Sequence, residues 1–309
     1  MAHQDAHIGV ILNGGGLGGL AAHTGFMQAL AALDVDIVAA LGSSTGAVVA
    51  GALASGRPLD DLAAAIHALE PSQLWSPGTV PALIWRLMVN HGRGQLGLSD
   101  SRRAMEWCRQ QLLVDRFEQC QWPFYALARN LSNNRNTLFT QGELLSAVVA
   151  SAAMPFCLQP VRIEDQYYCD GAQVELQATE AICCTQDLDA LIIHHAVPEQ
   201  TTPQRFEKNL SQAWPLYGLV ENLVYNRRPW YVGSDRLSLH ACPYKCKAVI
   251  VAIESSVPRI QFSGPADETL ESHMQNVRKE LVALLTPYAN RLRLEPHRFL
   301  PVADSGRAP

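Results

Sequence analysis

A chain of 309 residues that is 48% hydrophobic and 17% charged holds enough apolar material for one large α/β domain or two smaller ones. Soluble chains are usually about 25% charged, so this surface has room for an apolar patch that meets lipid or a partner. A formal net charge of -5 gives a nucleic-acid partner no electrostatic support.

The first residues, Met1-Ala2-His3-Gln4-Asp5, show no basic stretch followed by an apolar core, so no signal peptide is expected. No apolar run approaches the roughly 20 residues that a membrane span needs. The eight cysteines are Cys108, Cys120, Cys157, Cys169, Cys183, Cys184, Cys242 and Cys246. Cys242 and Cys246 are separated by three residues and have no second ligand pair nearby in the sequence. That scatter predicts reduced, mostly buried thiols in a cytoplasmic protein, and no metal site.

In chain order, Ile8 to Leu12 reads as a short buried strand. Asn13-Gly14-Gly15-Gly16-Leu17-Gly18-Gly19 follows, then a helix from about Ala21 to Leu33 with Phe26, Leu30 and Leu33 at helical spacing. The glycine run has two readings. Gly14-x-Gly16-x-x-Gly19 satisfies the dinucleotide fingerprint, with Asp34 and Asp36 downstream. In that fold, however, the ribose-binding acid ends the second strand, whereas both acids lie at or before its start here. The other reading is a loop of bare backbone N–H groups that binds an oxyanion. It is preferred because it serves the same site as the next motif.

That motif is Leu41-Gly42-Ser43-Ser44-Thr45-Gly46-Ala47. It follows an apolar strand, Val35 to Leu41, and precedes an Ala- and Val-rich helix, Ala47 to Ala54. Strand, Gly-x-Ser-x-Gly turn and helix together make a nucleophile elbow, with Ser44 exposed above the strand end. Side chains at Gly42 and Gly46 would clash in so tight a turn. The plain alternative is an ordinary strand-to-helix loop, in which Gly and Ser are common.

A helix is predicted from about Asp60 to Leu69. Pro71 to Leu98 reads as irregular, with Val80 to Val89 suited equally to a lid over an apolar channel and to a core helix. Asp100 to Leu113 reads as an amphipathic helix capped by Ser99 or Asp100. Phe124 to Leu131 and Asn136 to Thr140 read as paired strands around Asn133-Asn134-Arg135-Asn136. A helix from Gln141 to Ala153 precedes a second strand pair, Val161 to Ile163 and Gln166 to Cys169. Asp170-Gly171-Ala172 closes it. A helix from Ala178 to Thr185, a strand from Leu188 to His194 and a last strand from Ala248 to Ile253 continue the alternation. Strands alternating with helices predict a mostly parallel sheet covered on both faces. Ser211 to Val232 reads as helical. Pro265 to Leu285 reads as a long amphipathic helix capped by Asp267 or an earlier polar residue, and residues 291–309 as a surface tail.

These pieces, in this order, resemble the patatin-like phospholipase family. Gly14-Gly15-Gly16-Leu17-Gly18-Gly19 with His23-x-Gly25 resembles its oxyanion loop and first helix, Gly42-Ser43-Ser44-Thr45-Gly46 its serine elbow, and Asp170-Gly171-Ala172 its catalytic aspartate motif. Ala150 to Phe156 resembles the stretch leading towards that aspartate. The resemblance covers roughly Ile8 to Val197. It implies a three-layer α/β/α sandwich in residues 1–290, with a variable cap at about 71–98. It also implies hydrolysis of lipid acyl esters by a Ser–Asp dyad, phospholipase A or lysophospholipase in type. Ser44 would be the nucleophile, Asp170 its base, and Gly14, Gly15 and Gly16 the oxyanion hole, with no metal or organic cofactor. The partner implied is a lipid or acyl-ester substrate, with peripheral membrane contact compatible with a cytoplasmic location.

Two departures stand out. Gly18 occupies a position where the family usually has Arg or Lys, and Gln173 to Ala178 lacks the Asn and Pro often found there. They keep acyl transfer to another acceptor, and a weakened lipid-binding protein, open as alternatives. A Ser-Asp-His triad using His194 or His195 is the rival within hydrolases, because the chain order suits it.

Overall fold

The computed structural model describes residues 6–74, 88, 97–99, 101–171, 176–198, 229–231, 235–257 and 269–296. Strand β1 (Ile8–Gly14) leads into helix α1 (Gly16–Ala32), and β2 (Ala39–Ser43) into α2 (Thr45–Ala54) and α3 (Leu59–His67). Next come α4 (Pro71–Leu74), β3 (Gly97–Ser99), α5 (Arg102–Gln111), β4 (Phe124–Asn130), β5 (Arg135–Phe139) and α6 (Leu144–Ala152). They are followed by β6 (Phe156–Leu158), β7 (Val161–Ile163), β8 (Gln166–Asp170) and α7 (Leu176–Thr185). β9 (Ala190–Pro198), β10 (Leu237–Ala241), β11 (Val249–Val257), α8 (Leu270–Leu285) and α9 (Ala289–Leu294) complete the order.

Among the described residues, nine strands form one sheet, ordered β10-β11-β9-β1-β2-β4-β8-β7, with β5 also on β4. β11, β9, β1, β2 and β4 are mutually parallel, and the remaining pairings are antiparallel. The parallel strands are apolar on both faces, as a sheet covered on both sides requires. Along β1, Ile8, Val10 and Leu12 join one core while Ile11 joins the other. β9 divides the same way, Ala190 and Ile192 against Leu191 and Ile193. The period of two thus builds two cores from one run of strands. The first lies under α1, α2, α6 and α8, and the second under α7. The result is a three-layer α/β/α sandwich with a mostly parallel central sheet.

Several boundaries differ from the sequence expectation. α1 begins at Gly16 rather than near Ala21, so most of the glycine run is the first helical turn and not a loop. β2 begins at Ala39 rather than Val35, because the Val35 N–H donates back to the Leu30 carbonyl at 3.0 Å and finishes the helix end. α5 is capped at Ser101. α8 starts at Leu270, where the Thr269 hydroxyl accepts the Ser272 N–H at 3.1 Å; Asp267 lies outside the described residues. The surface tail begins later than residue 291, since α9 buries Leu292 and the Ala6 N–H donates to the Arg293 carbonyl at 2.8 Å. Most of the expected cap at 71–98 and of the segment from Ser211 to Val232 lies outside the described residues, as does Ala172.

The cysteines require a correction. Cys184 and Cys246 are joined in a disulfide, and Cys183 and Cys242 lie beside them with sulfurs 3.4 Å apart. The missing second pair is the one at the end of α7, 62 residues away in sequence. No helix among the described residues is long and apolar enough to cross a membrane.

Candidate active site

The strand register alone brings the two motif residues together. β4 pairs with β2 through residues 124–127 and with β5 through 126–130, so β2 and β5 flank it on opposite sides. β8 pairs with 128–130, which β5 also occupies, so β8 lies on the β2 side. β2 and β8 therefore meet end to end along one edge of β4. Ser43 faces Leu127, and Asp170 faces the next residue, Ala128. Ser44 and Asp170 are the adjoining ends, 126 residues apart in sequence.

At that junction the Ser44 hydroxyl donates to Asp170 Oδ2 at 2.7 Å. Both residues are buried, at 2% and 3% exposure. Ser44 has φ 59° and ψ -132°, a combination that non-glycine residues avoid and that costs of order 1–3 kcal/mol. The turn is compressed on both sides. A Cβ at Gly46 would run into the Leu12 carbonyl, and one at Gly42 into the Ala47 backbone. Beyond Ser44, α2 presents its N-terminus, where partial positive charge collects.

Two further contacts hold this geometry. The Ser44 N–H donates to the Ser151 hydroxyl at 3.1 Å, and that hydroxyl donates to the Leu127 carbonyl at 2.6 Å. The Asp170 N–H donates to the Ala153 carbonyl at 2.9 Å. The end of α6 thus fixes nucleophile candidate and carboxylate together.

The glycine loop lies on the adjoining strand, since Asn13 pairs with Ser43. Gly14, Gly15 and Gly16 all have positive φ, at 80°, 98° and 52°, which glycine adopts without steric cost. The Gly14 carbonyl accepts from Thr45 Oγ1 at 2.8 Å and from His23 Nε2 at 3.1 Å. In a trans peptide the C=O and the following N–H point in opposite directions, and no cis bond occurs among the described residues. Holding the Gly14 carbonyl therefore aims the Gly15 N–H away from Thr45 and His23. Gly16 starts α1, so its N–H and the next two have no intrahelical acceptor. Gly18 is buried in that first turn.

Behind the loop lies a chain of buried side chains whose proton positions follow from chemistry. A carbonyl only accepts, so His23 Nε2 carries a proton towards Gly14. Neutral His23 Nδ1 must then accept from His194 Nδ1, 2.8 Å away. His194 Nε2 in turn accepts from the Ser255 hydroxyl at 2.9 Å. Burial supports neutral rings: it pushes His23 down to about 4 and His194 well below the usual imidazole range. His195, also lowered by burial to about 4, contacts Asn13 Nδ2 at 3.1 Å. The Ser44 hydroxyl is directed at Asp170, while His194 bonds to His23 and Ser255 and His195 to Asn13.

The expected residues Ser44, Asp170, Gly14, Gly15 and Gly16 thus meet at one end of the sheet. Sequence reasoning gave no role to Ser151, Thr45 or the His23–His194 contact. Ser151 carried one readable signal, a hydroxyl placed among Ala147, Val148, Val149, Ala150, Ala152 and Ala153.

A strained serine bonded to a buried carboxylate thus stands at one end of the sheet of a three-layer sandwich. The sequence model of patatin-like phospholipases matches residues 10–176, more than half of the chain, and the chain belongs to that family. An uncharacterized NTE family protein of Mycobacterium bovis is 31% identical over 164 residues, which is 53% of this chain and 42% of that protein. One from Mycobacterium tuberculosis matches to the same extent. The chain therefore spans less than half the length of these curated relatives. Among solved structures, VipD from Legionella pneumophila superposes with a TM-score of 0.50 at 15% identity, covering 91% of this chain and 67% of that one.

Proposed function

We propose that this chain is a serine acyl hydrolase acting on acyl esters of lipids, of phospholipase A or lysophospholipase type, through a Ser44–Asp170 dyad. The observation that carries the reading is the 2.7 Å hydrogen bond from Ser44 Oγ to Asp170 Oδ2, made by a serine held in a strained conformation. A serine hydroxyl attacks an ester only when a base takes its proton. Asp170 is within reach to do so. As Ser44 Oγ bonds to the acyl carbon, the carbonyl oxygen becomes an oxyanion. The Gly15 and Gly16 amides and the N-terminal ends of α1 and α2 supply the positive field it needs. Gly14 serves this step through its carbonyl, which orients the next peptide. Asp170 then returns the proton to the leaving alcohol oxygen, and water, activated by the same carboxylate, releases the acyl group from Ser44. In this reading residues 1–290 act as one catalytic domain, and no metal or organic cofactor enters the reaction.

Family membership supports a lipid ester as substrate, and the low charge content fits contact with an apolar surface. A fluorophosphonate probe provides the test. Wild type should form a covalent adduct that maps to Ser44, while Ser44→Ala and Asp170→Asn should not react. Labelling elsewhere, or equal hydrolysis of an activated short-chain ester by wild type and Ser44→Ala, would overturn the proposal.

A further inference from the structure

The four cysteines that sequence spacing left unconnected converge on one point. Cys183 and Cys184 end α7, while Cys242 and Cys246 bracket the loop Cys242-Pro243-Tyr244-Lys245-Cys246 between β10 and β11. Their four sulfurs all lie within 4.8 Å of one another. A Zn–S bond of about 2.3 Å sets the sulfur–sulfur edge of a ZnS4 tetrahedron at about 3.8 Å. The Cys183–Cys242 separation is 3.4 Å, so closure on an ion needs only sub-ångström movement of that pair. Cys183 and Cys242 are buried, Cys246 partly so, and Cys184 faces solvent. This leaves an entry path for the ion while Cys183 and Cys242 belong to the second core. Lys245 and Lys247 place positive charge in and beside the same loop.

We propose that, in the reduced chain, Cys183, Cys184, Cys242 and Cys246 bind one Zn2+ ion as a closed four-thiolate site. The disulfide between Cys184 and Cys246 is its metal-free, oxidised form. Conversion is balanced with a thiol reductant. Two reductant thiols become one disulfide, and Cys184 and Cys246 each gain a hydrogen. Binding then releases four protons from four thiols to solvent and leaves the ZnS4 unit with a net charge of -2.

The site is structural and lies away from the serine. Cys242 follows Ala241, which faces Val249 at the start of β11. Val249 is level with Ala190 and Ile8, at the beginnings of β9 and β1. Ser44 follows the end of β2, at the opposite end of the parallel strands. The ion would fasten α7, the helix after Asp170, to the edge hairpin across 62 residues of chain.

The test uses the full chain, fully reduced with a phosphine and freed of metal, then titrated anaerobically with Co2+ and Zn2+. One Co2+ per chain is expected, with the strong visible bands and sulfur charge-transfer absorption of tetrahedral thiolate cobalt, displaced by one equivalent of Zn2+. Cys183→Ser and Cys246→Ser should lose stoichiometric binding, and Cys120→Ser, outside the cluster, should retain it. No binding by the reduced chain, or binding that survives both substitutions, would overturn the site. If the substituted chains do not fold, the wild-type cobalt spectrum decides: absence of thiolate charge transfer would refute the four-sulfur set.

Discussion

The backbone N–H of Ser44 donates to the hydroxyl of Ser151, 107 residues further along the chain. The same hydroxyl donates to Leu127, which faces Ser43 across the β2–β4 ladder. One side chain therefore joins helix, turn and strand at the point where the nucleophile candidate is held. Replacing Ser151 by Ala removes both bonds and strands a buried N–H and a buried carbonyl. That costs about 1–3 kcal/mol, readable as a lower denaturation midpoint. Turnover of an activated ester should fall by about tenfold or more with little change in KM, because the loss acts on the position of Ser44 and not on substrate contacts. Unchanged turnover would show that the turn holds itself.

The dyad and the triad make opposite demands on two residues. If Asp170 is the base, Asp170→Asn should reduce turnover by roughly 10³-fold or more while the fold persists, as expected for members of a catalytic unit. His195→Ala should stay within about tenfold of wild type, since His195 is engaged with Asn13. A steady-state assay of the two variants side by side separates the cases. Collapse of activity in His195→Ala with normal folding would favour the histidine.

The parts of this architecture written in local patterns are legible in the sequence. Gly42, Gly46 and the apolar runs around them specify a strand, a tight turn and a helix within about fifteen residues, and Asp170-Gly171 ends a strand visibly. What escaped depends on contacts between distant residues. His23 meets His194 across 171 positions, and Ser44 meets Ser151 across 107. Adjacent cysteines at 183 and 184 gain meaning only when a hairpin ends beside them. The start of α1 at Gly16 departs from the sequence expectation for another reason. Glycines weaken a helix in isolation, yet here Gly19 is required because a Cβ would meet the Gly14 carbonyl at 2.7 Å. Packing against the elbow outweighs propensity in that turn.

Strain at Ser44 has a thermodynamic consequence. Its φ of 59° with ψ of -132° suits glycine, which lacks the Cβ that makes this region unfavourable. Ser44→Gly should therefore abolish probe labelling and ester hydrolysis yet raise stability by about 1 kcal/mol, or about 1–2 °C in Tm for a chain of 309 residues. The gain is smaller than the strain itself because the hydrogen bond to Asp170 is lost. A variant that is inactive and also less stable would show that the hydroxyl contact outweighs the backbone conformation.

Acid should act first on the buried histidines. His23, His194 and His195 all have folded-state values below the ordinary 6.5, with burial as the largest cause in each case. His194 is lowered further by His23, His195, Arg236 and His273. Their unfolded counterparts take up protons as pH falls through about 6.5, while folded His23 and His195, pushed down to about 4 by burial, do not. Between these limits the unfolded chain binds more protons, so stability declines as pH drops from about 6.5 towards about 4. Near 4 protonation of the folded His23 begins, and a charged ring puts a proton on the Nδ1 that accepts from His194. The Nε2–H that donates to the Gly14 carbonyl is kept, but Nδ1 no longer accepts and the contact with His194 is lost. Unfolding free energies from urea titrations across this range should fall steadily, by about 3 kcal/mol for each ring lowered from 6.5 to about 4, as an order of magnitude. His194→Gln should flatten the slope, because a glutamine amide does not titrate. A slope identical in wild type and His194→Gln would place the acid sensitivity elsewhere in the chain.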